Sequence, residues 1–330
     1  MELKRITPRE AGFWPDLEER LASRFGDLHG LVVLKDGALL FERYGKGEDH
    51  SWGVSHGVVT FGPATPHDLR SVTKSVVGLL YGIALADGLV PPPEEPLLAH
   101  FPEYPDLAAD PARAALKVEH ALTMTLGVEW REDLPYTTPE NSEIAMELAP
   151  DRHRFILERP VVEEPGRTWH YCGGAAAIAA RLIVKGAGEP LTEFARKRLF
   201  EPLGVGSFEW LAGDDGVHSA ASGLRLTPRD LARIGQAVLD GGAGVVPSWW
   251  LDRALRPRVE IGEGAAYGYQ WWVGTGQPPF AAGYGNGGQR LVVYPDLALV
   301  VAITAGRYDA PDAGETPQAV VDELLAARLA

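Results

Sequence analysis

Strand-like segments occupy the two ends of this chain, and helical ones fill the middle. Near the start, "HGLVVLKDGALLFERYG" (29–45) is apolar on either side of Asp36-Gly37, a pair suited to the left-handed backbone of a two-residue hairpin. Near the end, "YGYQWWVG" (267–274), "QRLVVYP" (289–295) and "LALVVAITAG" (297–306) read as three successive strands. Between them the pattern is helical from Ser71 to about Gly88. "VEHALTMTLGVEW" (118–130) predicts a short helix ended by Gly127, and 173–188 a buried one with Gly186 and Gly188 past its end. A helix over 191–204 is expected to stop at Pro202, and another to open at Thr227 as cap with Pro228 in its first turn. "ETPQAVVDELLAARL" supplies a last helix. Such an order implies an α/β (α+β) fold with one antiparallel sheet built from both chain ends. Residues 1–70 and 255–330 form that sheet with flanking helices, and 71–254 a mostly helical inserted region, with the site at the junction.

With 45% hydrophobic and 23% charged residues, a 330-residue chain has ample material for a packed core. Its formal net charge is −14 and its pI about 5.1, which argues against nucleic acid or an anionic membrane as partner. No stretch approaches the roughly 20 uninterrupted apolar residues of a membrane span. The opening "MELKRITPREAGFWPDLEER" has no apolar leader core, so the chain is expected to be cytoplasmic. A single cysteine, Cys172, excludes an intramolecular disulfide. The nine histidines show no H-E-x-x-H or similar spacing, so neither metal nor cofactor is expected.

The chemistry gathers at "LRSVTKSVVGLLYGIALADG" (69–88), where Ser71 stands three residues ahead of Lys74 at the start of an apolar helix. Residues i and i+3 share a helix face, so the amine is within reach of the hydroxyl. A serine needs such a neighbouring base to become a useful nucleophile. Burial disfavours the ammonium, so Lys74 is expected to have a depressed pKa. The alternative is a capping Ser71 with Lys74 snorkelling to water. In "PGRTWHYCGG" (165–174), Tyr171 enters a helix of Gly and Ala with room to face a cleft, where its phenol can relay a proton. A plain core tyrosine is the competing reading. In "GYGNGGQRLVVYP" (283–295), glycines precede a strand whose edge offers close backbone approach and an N–H for an oxyanion, or form an ordinary bulge.

Together these elements resemble the serine β-lactamase and penicillin-binding-protein superfamily, in its class C-like branch. Further fragments look like that branch in order over almost the full length: "LVVLKDGALLFERYG", "LTMTLGVEW", "EPGRTWHYCGG", "LFEPLGV", "SGLRLTPRDLARIGQAVL" and "YGYQWWV". The resemblance implies a β-lactamase/transpeptidase-like fold with Ser71 as nucleophile, Lys74 as its base and Tyr171 as proton relay. It also implies an oxyanion hole from the Ser71 N–H and a donor in Gly283–Gln289, for which Asn286 is favoured. Gly285 and Gly287 beside it, with Tyr136 and Asn141 in the loop after Trp130, are expected to line the substrate.

Two departures from the family pattern bear on specificity. Its Tyr-x-Asn element reads Tyr171-Cys172-Gly173 here, without the asparagine, and its third element lacks a lysine or histidine. Loss of that cation removes a charge-assisted contact with a substrate carboxylate of roughly 1.5 to 3 kcal/mol. The chain is therefore expected to be a serine hydrolase of small esters or amides. A β-lactamase or D-alanyl carboxypeptidase/aminopeptidase is the rival enzyme, and a non-catalytic penicillin-recognising sensor the rival from another class. Cys172 has no His–Asp pair to activate it, and Trp249, Trp250, Trp271 and Trp272 are expected in the core or the cleft wall. Oligomeric state is not legible.

Overall fold

The computed structural model describes residues 3–329. Its thirteen strands are β1 (Leu28–Lys35), β2 (Ala38–Tyr44), β3 (Lys46–Ser51), β4 (Val54–Thr60), β5 (His67–Asp68), β6 (Glu209–Trp210), β7 (Leu224–Leu226), β8 (Val259–Gly262), β9 (Ala265–Tyr267), β10 (Trp272–Gly274), β11 (Phe280–Gly285), β12 (Gln289–Tyr294) and β13 (Leu299–Ala305). Eight of them form one antiparallel sheet in the order β2-β1-β13-β12-β11-β10-β9-β8. The first strand after the N-terminal helix thus pairs with the last strand of the chain, Val33 opposite Val301.

Period-two alternation explains why these strands read as nearly continuous apolar runs. Leu31 and Val33 of β1 enter one core, and Val32 and Leu34 the other. Helices Leu17–Arg24 and Glu315–Ala326 cover one face with Leu17, Leu21, Val320 and Leu324. Helices Pro228–Leu239 and Val72–Ala86 cover the other, so both faces must be apolar. Asp36 (φ 51°) and Gly37 (φ 75°) make the expected hairpin turn between β1 and β2. Thr227 caps its helix by accepting from the Asp230 N–H, with Pro228 in the first turn.

Elsewhere the structure departs from the sequence pattern for identifiable reasons. The segment 267–274 is not one strand: β9 ends at Tyr267, and β10 begins at Trp272 after Gln270 turns through φ 63°. The Gln270 N–H is drawn off to the Leu122 carbonyl, which breaks the run. The glycine-bearing segment before β12 is itself β11. The expected helix over 118–130 ends at Leu122, well short of Gly127. The helical stretch from Leu191 widens to π-helical bonding over Arg196–Phe200, runs on through Pro202 and ends at Gly204 in the left-handed conformation. Gly186 lies inside its helix, which Gly188 terminates at φ 67°.

The short ribbon β5-β7-β6 delivers the chain to Ser71. The Leu69 N–H bonds to the Leu224 carbonyl at 3.0 Å, and Arg70 then takes a left-handed turn (φ 47°) whose N–H is held by Asp68 Oδ1 at 3.0 Å. Helix Val72–Ala86 begins immediately after, between the sheet and helix Gly173–Ala187.

Candidate active site

Ser71 opens its helix without capping it: the side chain makes no bond to the helix backbone. Its hydroxyl instead meets Lys74 Nζ at 2.8 Å. Lys74 is only 1% exposed, so it does not snorkel. Its nitrogen also reaches the Ala221 carbonyl at 2.9 Å and Glu143 Oε2 at 3.2 Å. Tyr171 lies beside both groups: Lys74 Nζ is 5.0 Å from its ring centre, and its phenol is near enough to Ser71 and Lys74 to interact with each. The three residues singled out by sequence are therefore in mutual contact.

The charge state of Lys74 reverses the sequence expectation. Burial does oppose the ammonium, but the Glu143 carboxylate more than offsets that and holds the pKa above its ordinary value. Burial raises the Tyr171 phenol, which is neutral.

Glu143 and Glu132 escaped the sequence reading. Both come from the loop and short helix after Trp130, about sixty to seventy residues from Lys74 with no periodic relation to it. Asn141, fully buried, caps helix Ser142–Glu147 by accepting from the Glu143 and Ile144 N–H groups, so it sets the position of Glu143 and does not itself line the cleft. Tyr136 donates to Glu132 Oε1 at 2.9 Å, and Trp130 Nε1 and the Gly173 N–H donate to Glu132 Oε2 at 2.7 and 2.6 Å. Burial and the neighbouring Glu143 charge push Glu132 up to about 8. Burial also works against Glu143, yet Lys74, Glu132 and Ser222 hold it below the usual carboxylate range. The one signal of this arrangement in the sequence is Gly173: a Cβ there would overlap the Glu143 carboxylate. An asparagine at 173 would displace the Glu143 carboxylate from its place beside Lys74.

In the glycine-bearing segment, Gly283 and Gly285 face the Ser71 helix. A Cβ on Gly283 would press on Ser75 and Val72, and one on Gly285 on the Leu69 carbonyl and Arg70. Asn286 lies in the turn beyond β11, its side chain donating to Asp309 at 2.7 Å, and Gly287 (φ 88°) packs beside the Tyr308 ring. The Gly288 N–H bonds to the Gly285 carbonyl, so Gly285, and by alternation Gly283, direct their backbone polar groups toward β12. Tyr284 points its N–H the other way, beyond the end of β10, whose first residue Trp272 already pairs with Ala282.

Trp169, Tyr171, Tyr267, Trp272 and Tyr284 form a connected aromatic wall with ring centres 5.4 to 6.1 Å apart. Trp250 and Trp271 are core, while Trp249 is 44% exposed. Cys172 is buried, and burial raises its thiol pKa, which removes any tendency to form a thiolate.

Residues 19–325 match the family profile described as Beta-lactamase. A 6-aminohexanoate-dimer hydrolase from Paenarthrobacter ureafaciens is 25% identical over 315 residues, 87% of this chain and 74% of that enzyme. A lovastatin esterase from Penicillium rubens is 31% identical over 116 residues, 34% of this chain and 26% of its own. The solved structure of EstCE1, a hydrolase with promiscuous acyltransferase activity, covers 94% of this chain and 98% of its own with a TM-score of 0.75 at 15% identity. It shares the fold. This chain belongs to the β-lactamase family and is a serine hydrolase of it.

Proposed function

We propose that the protein hydrolyses small esters or amides through an acyl-enzyme on Ser71. The observation that carries this reading is the buried contact of Lys74 Nζ with Ser71 Oγ at 2.8 Å, with the Tyr171 ring centre 5.0 Å from the same nitrogen. Lys74, on giving up one of its own protons, takes the hydroxyl proton as Ser71 attacks the carbonyl. The helix start supports charge developing on the carbonyl oxygen with the Ser71 N–H. For the second donor, the strand alternation favours the Tyr284 N–H over that of Asn286. Tyr171 carries a proton to the leaving group and later helps a water attack the ester.

The names of the relatives support the substrate class, an amide in one case and an ester in the other. The segment after Phe280 carries no cation before Arg290, and Arg70 is engaged by Asp68 at 3.0 Å and by the Tyr308 ring. A substrate carboxylate thus lacks a free partner there, whereas the aromatic wall suits an apolar acyl group. Measuring kcat/KM for p-nitrophenyl acetate and butyrate beside nitrocefin tests the reading. The esters are expected to be preferred by about tenfold or more, the worth of one charge-assisted contact. Preference for nitrocefin would contradict it.

A further inference from the structure

Two carboxyls buried together against one cation are costly to fold around, and neither is explained by the roles of Ser71, Lys74 and Tyr171. The geometry at Lys74 shows what they are for. Its nitrogen has three acceptors within 3.2 Å, namely Ser71 Oγ, the Ala221 carbonyl and Glu143 Oε2, matching the three N–H bonds of an ammonium. An ammonium has no lone pair for the Ser71 proton, so it can accept that proton only while giving up another. Of its three neighbours, Ala221 offers a weakly basic amide oxygen and Ser71 is the donor. Only Glu143 can receive it.

We propose that Glu143, backed by Glu132, is the terminal acceptor of the Ser71 proton during acylation, with Lys74 as the relay between them. The Ser71 O–H bond breaks and an N–H bond forms on Lys74. A second N–H of Lys74 breaks and an O–H forms on Glu143 Oε2. The electron pair left on the Ser71 oxygen makes the bond to the substrate carbonyl carbon. Lys74 ends as it began, an ammonium, and the charge lost by Glu143 appears on the oxyanion. The same path run backwards returns the proton for the leaving group through Lys74 and Tyr171. Glu143 therefore acts through Lys74 as a positioning residue.

The surroundings fit one proton shared by the pair. Glu143 faces Lys74, Glu132 and Ser222, with Glu147 one turn along its own helix; Glu132 faces Trp130, Tyr136, the Gly173 N–H and Glu143. Tyr171 and Cys172, the other titratable groups against the pair, are both raised by burial and neutral. With Glu132 up near 8 and Glu143 below the ordinary range, the proton resides on Glu132 through neutral pH and Glu143 stays ready to accept. Glu132 thus keeps a second negative charge away from Lys74 while leaving Glu143 ionised.

The inference rests on the acyl-enzyme reading, and its test separates the two. The rate of Ser71 labelling by a fluorophosphonate, and kcat/KM for p-nitrophenyl butyrate, are measured from pH 5.5 to 7.5. The wild type is expected to stay flat within about threefold, because its acceptor remains a carboxylate throughout. Glu143→Gln is expected to be at least about tenfold slower at pH 7 and to fall steeply with decreasing pH, because Lys74 must now lose its own proton. Its KM should change by less than about twofold, since nothing bound to substrate is altered. Gly173→Asn, which forces the Glu143 carboxylate aside, should show the same slower and pH-dependent rate. A folded Glu143→Gln with the wild-type rate and profile, or a wild type with its own acid limb between pH 6 and 7.5, overturns the inference while labelling of Ser71 stands. Absence of labelling in the wild type overturns the acyl-enzyme reading itself.

Discussion

Lys74 makes its contacts with a serine, a carboxylate and a carbonyl within one buried space, so its substitution can separate charge from proton transfer. Lys74→Arg keeps a cation beside Glu143 and avoids leaving that carboxylate buried and alone. A guanidinium does not give up a proton near neutral pH, however, and cannot relay one. Acylation by p-nitrophenyl butyrate, followed as the nitrophenolate burst, is expected to slow by about 10³-fold with the melting transition retained. A rate near that of the wild type would make Lys74 an electrostatic anchor only. Ser71 and Lys74 were legible in the sequence because a helix converts a spacing of three into contact, and Tyr171 because small residues follow it. Glu132 and Glu143 were not, since they reach Lys74 through a loop whose course no local pattern specifies. Asn141 reads as a pocket residue, but its buried side chain is a helix cap. It holds the helix that aims Glu143.

Among the elements, helix Val72–Ala86 shows how close packing overrules intrinsic preference. Gly82 sits in its interior, where alanine would ordinarily be favoured by up to about 1 kcal/mol. Here a Cβ at 82 would overlap the indole of Trp250, which is fully buried and donates its Nε1 proton to the Gly78 carbonyl at 2.9 Å. Gly82→Ala is therefore expected to destabilise by about 1 to 3 kcal/mol, read as a lower urea midpoint with unchanged slope. A stabilised variant would show that the helix and Trp250 can separate freely. The hairpin β1–β2 and the helix at Thr227 were legible because turn and cap residues act locally. The split of 267–274 was not, because it depends on Gln270 bonding to Leu122, nearly 150 residues away. Gly186 likewise looks like a terminator, and its real constraint is the Leu89 carbonyl packed against it.

At the scale of the molecule, several neutral histidines are buried across both regions and make stability depend on pH. His67 Nδ1 donates to the Asp68 carbonyl at 2.8 Å, so its Nε2 must accept from His29 Nδ1, also at 2.8 Å. A proton on His67 Nε2 would face that N–H. Burial, and this neighbour, lower His67 to about 3; burial lowers His120 and His153 to about 4. Between those values and the roughly 6.5 of a free histidine, the unfolded chain binds more protons than the folded one. Stability then rises with pH across that window and is lost as pH falls through it. Glu132, raised to about 8, and Glu147, raised to about 7, pull the other way over the same range, so the histidine contribution is read by difference. The Tm at pH 7 minus that at pH 5 is expected to be larger in the wild type than in His67→Gln. An equal or smaller difference in the wild type would contradict the neutral assignment.

The central claim is that one serine, at the mouth of the helix between the sheet and the helical region, carries the covalent chemistry. Intact-mass measurement after fluorophosphonate treatment, with peptide mapping of the adduct, tests it most directly. A single phosphonyl group on Ser71, absent from Ser71→Ala together with at least about 10³-fold of the esterase kcat, is the expected result. An adduct on any other residue, or labelling undiminished in Ser71→Ala, would contradict it.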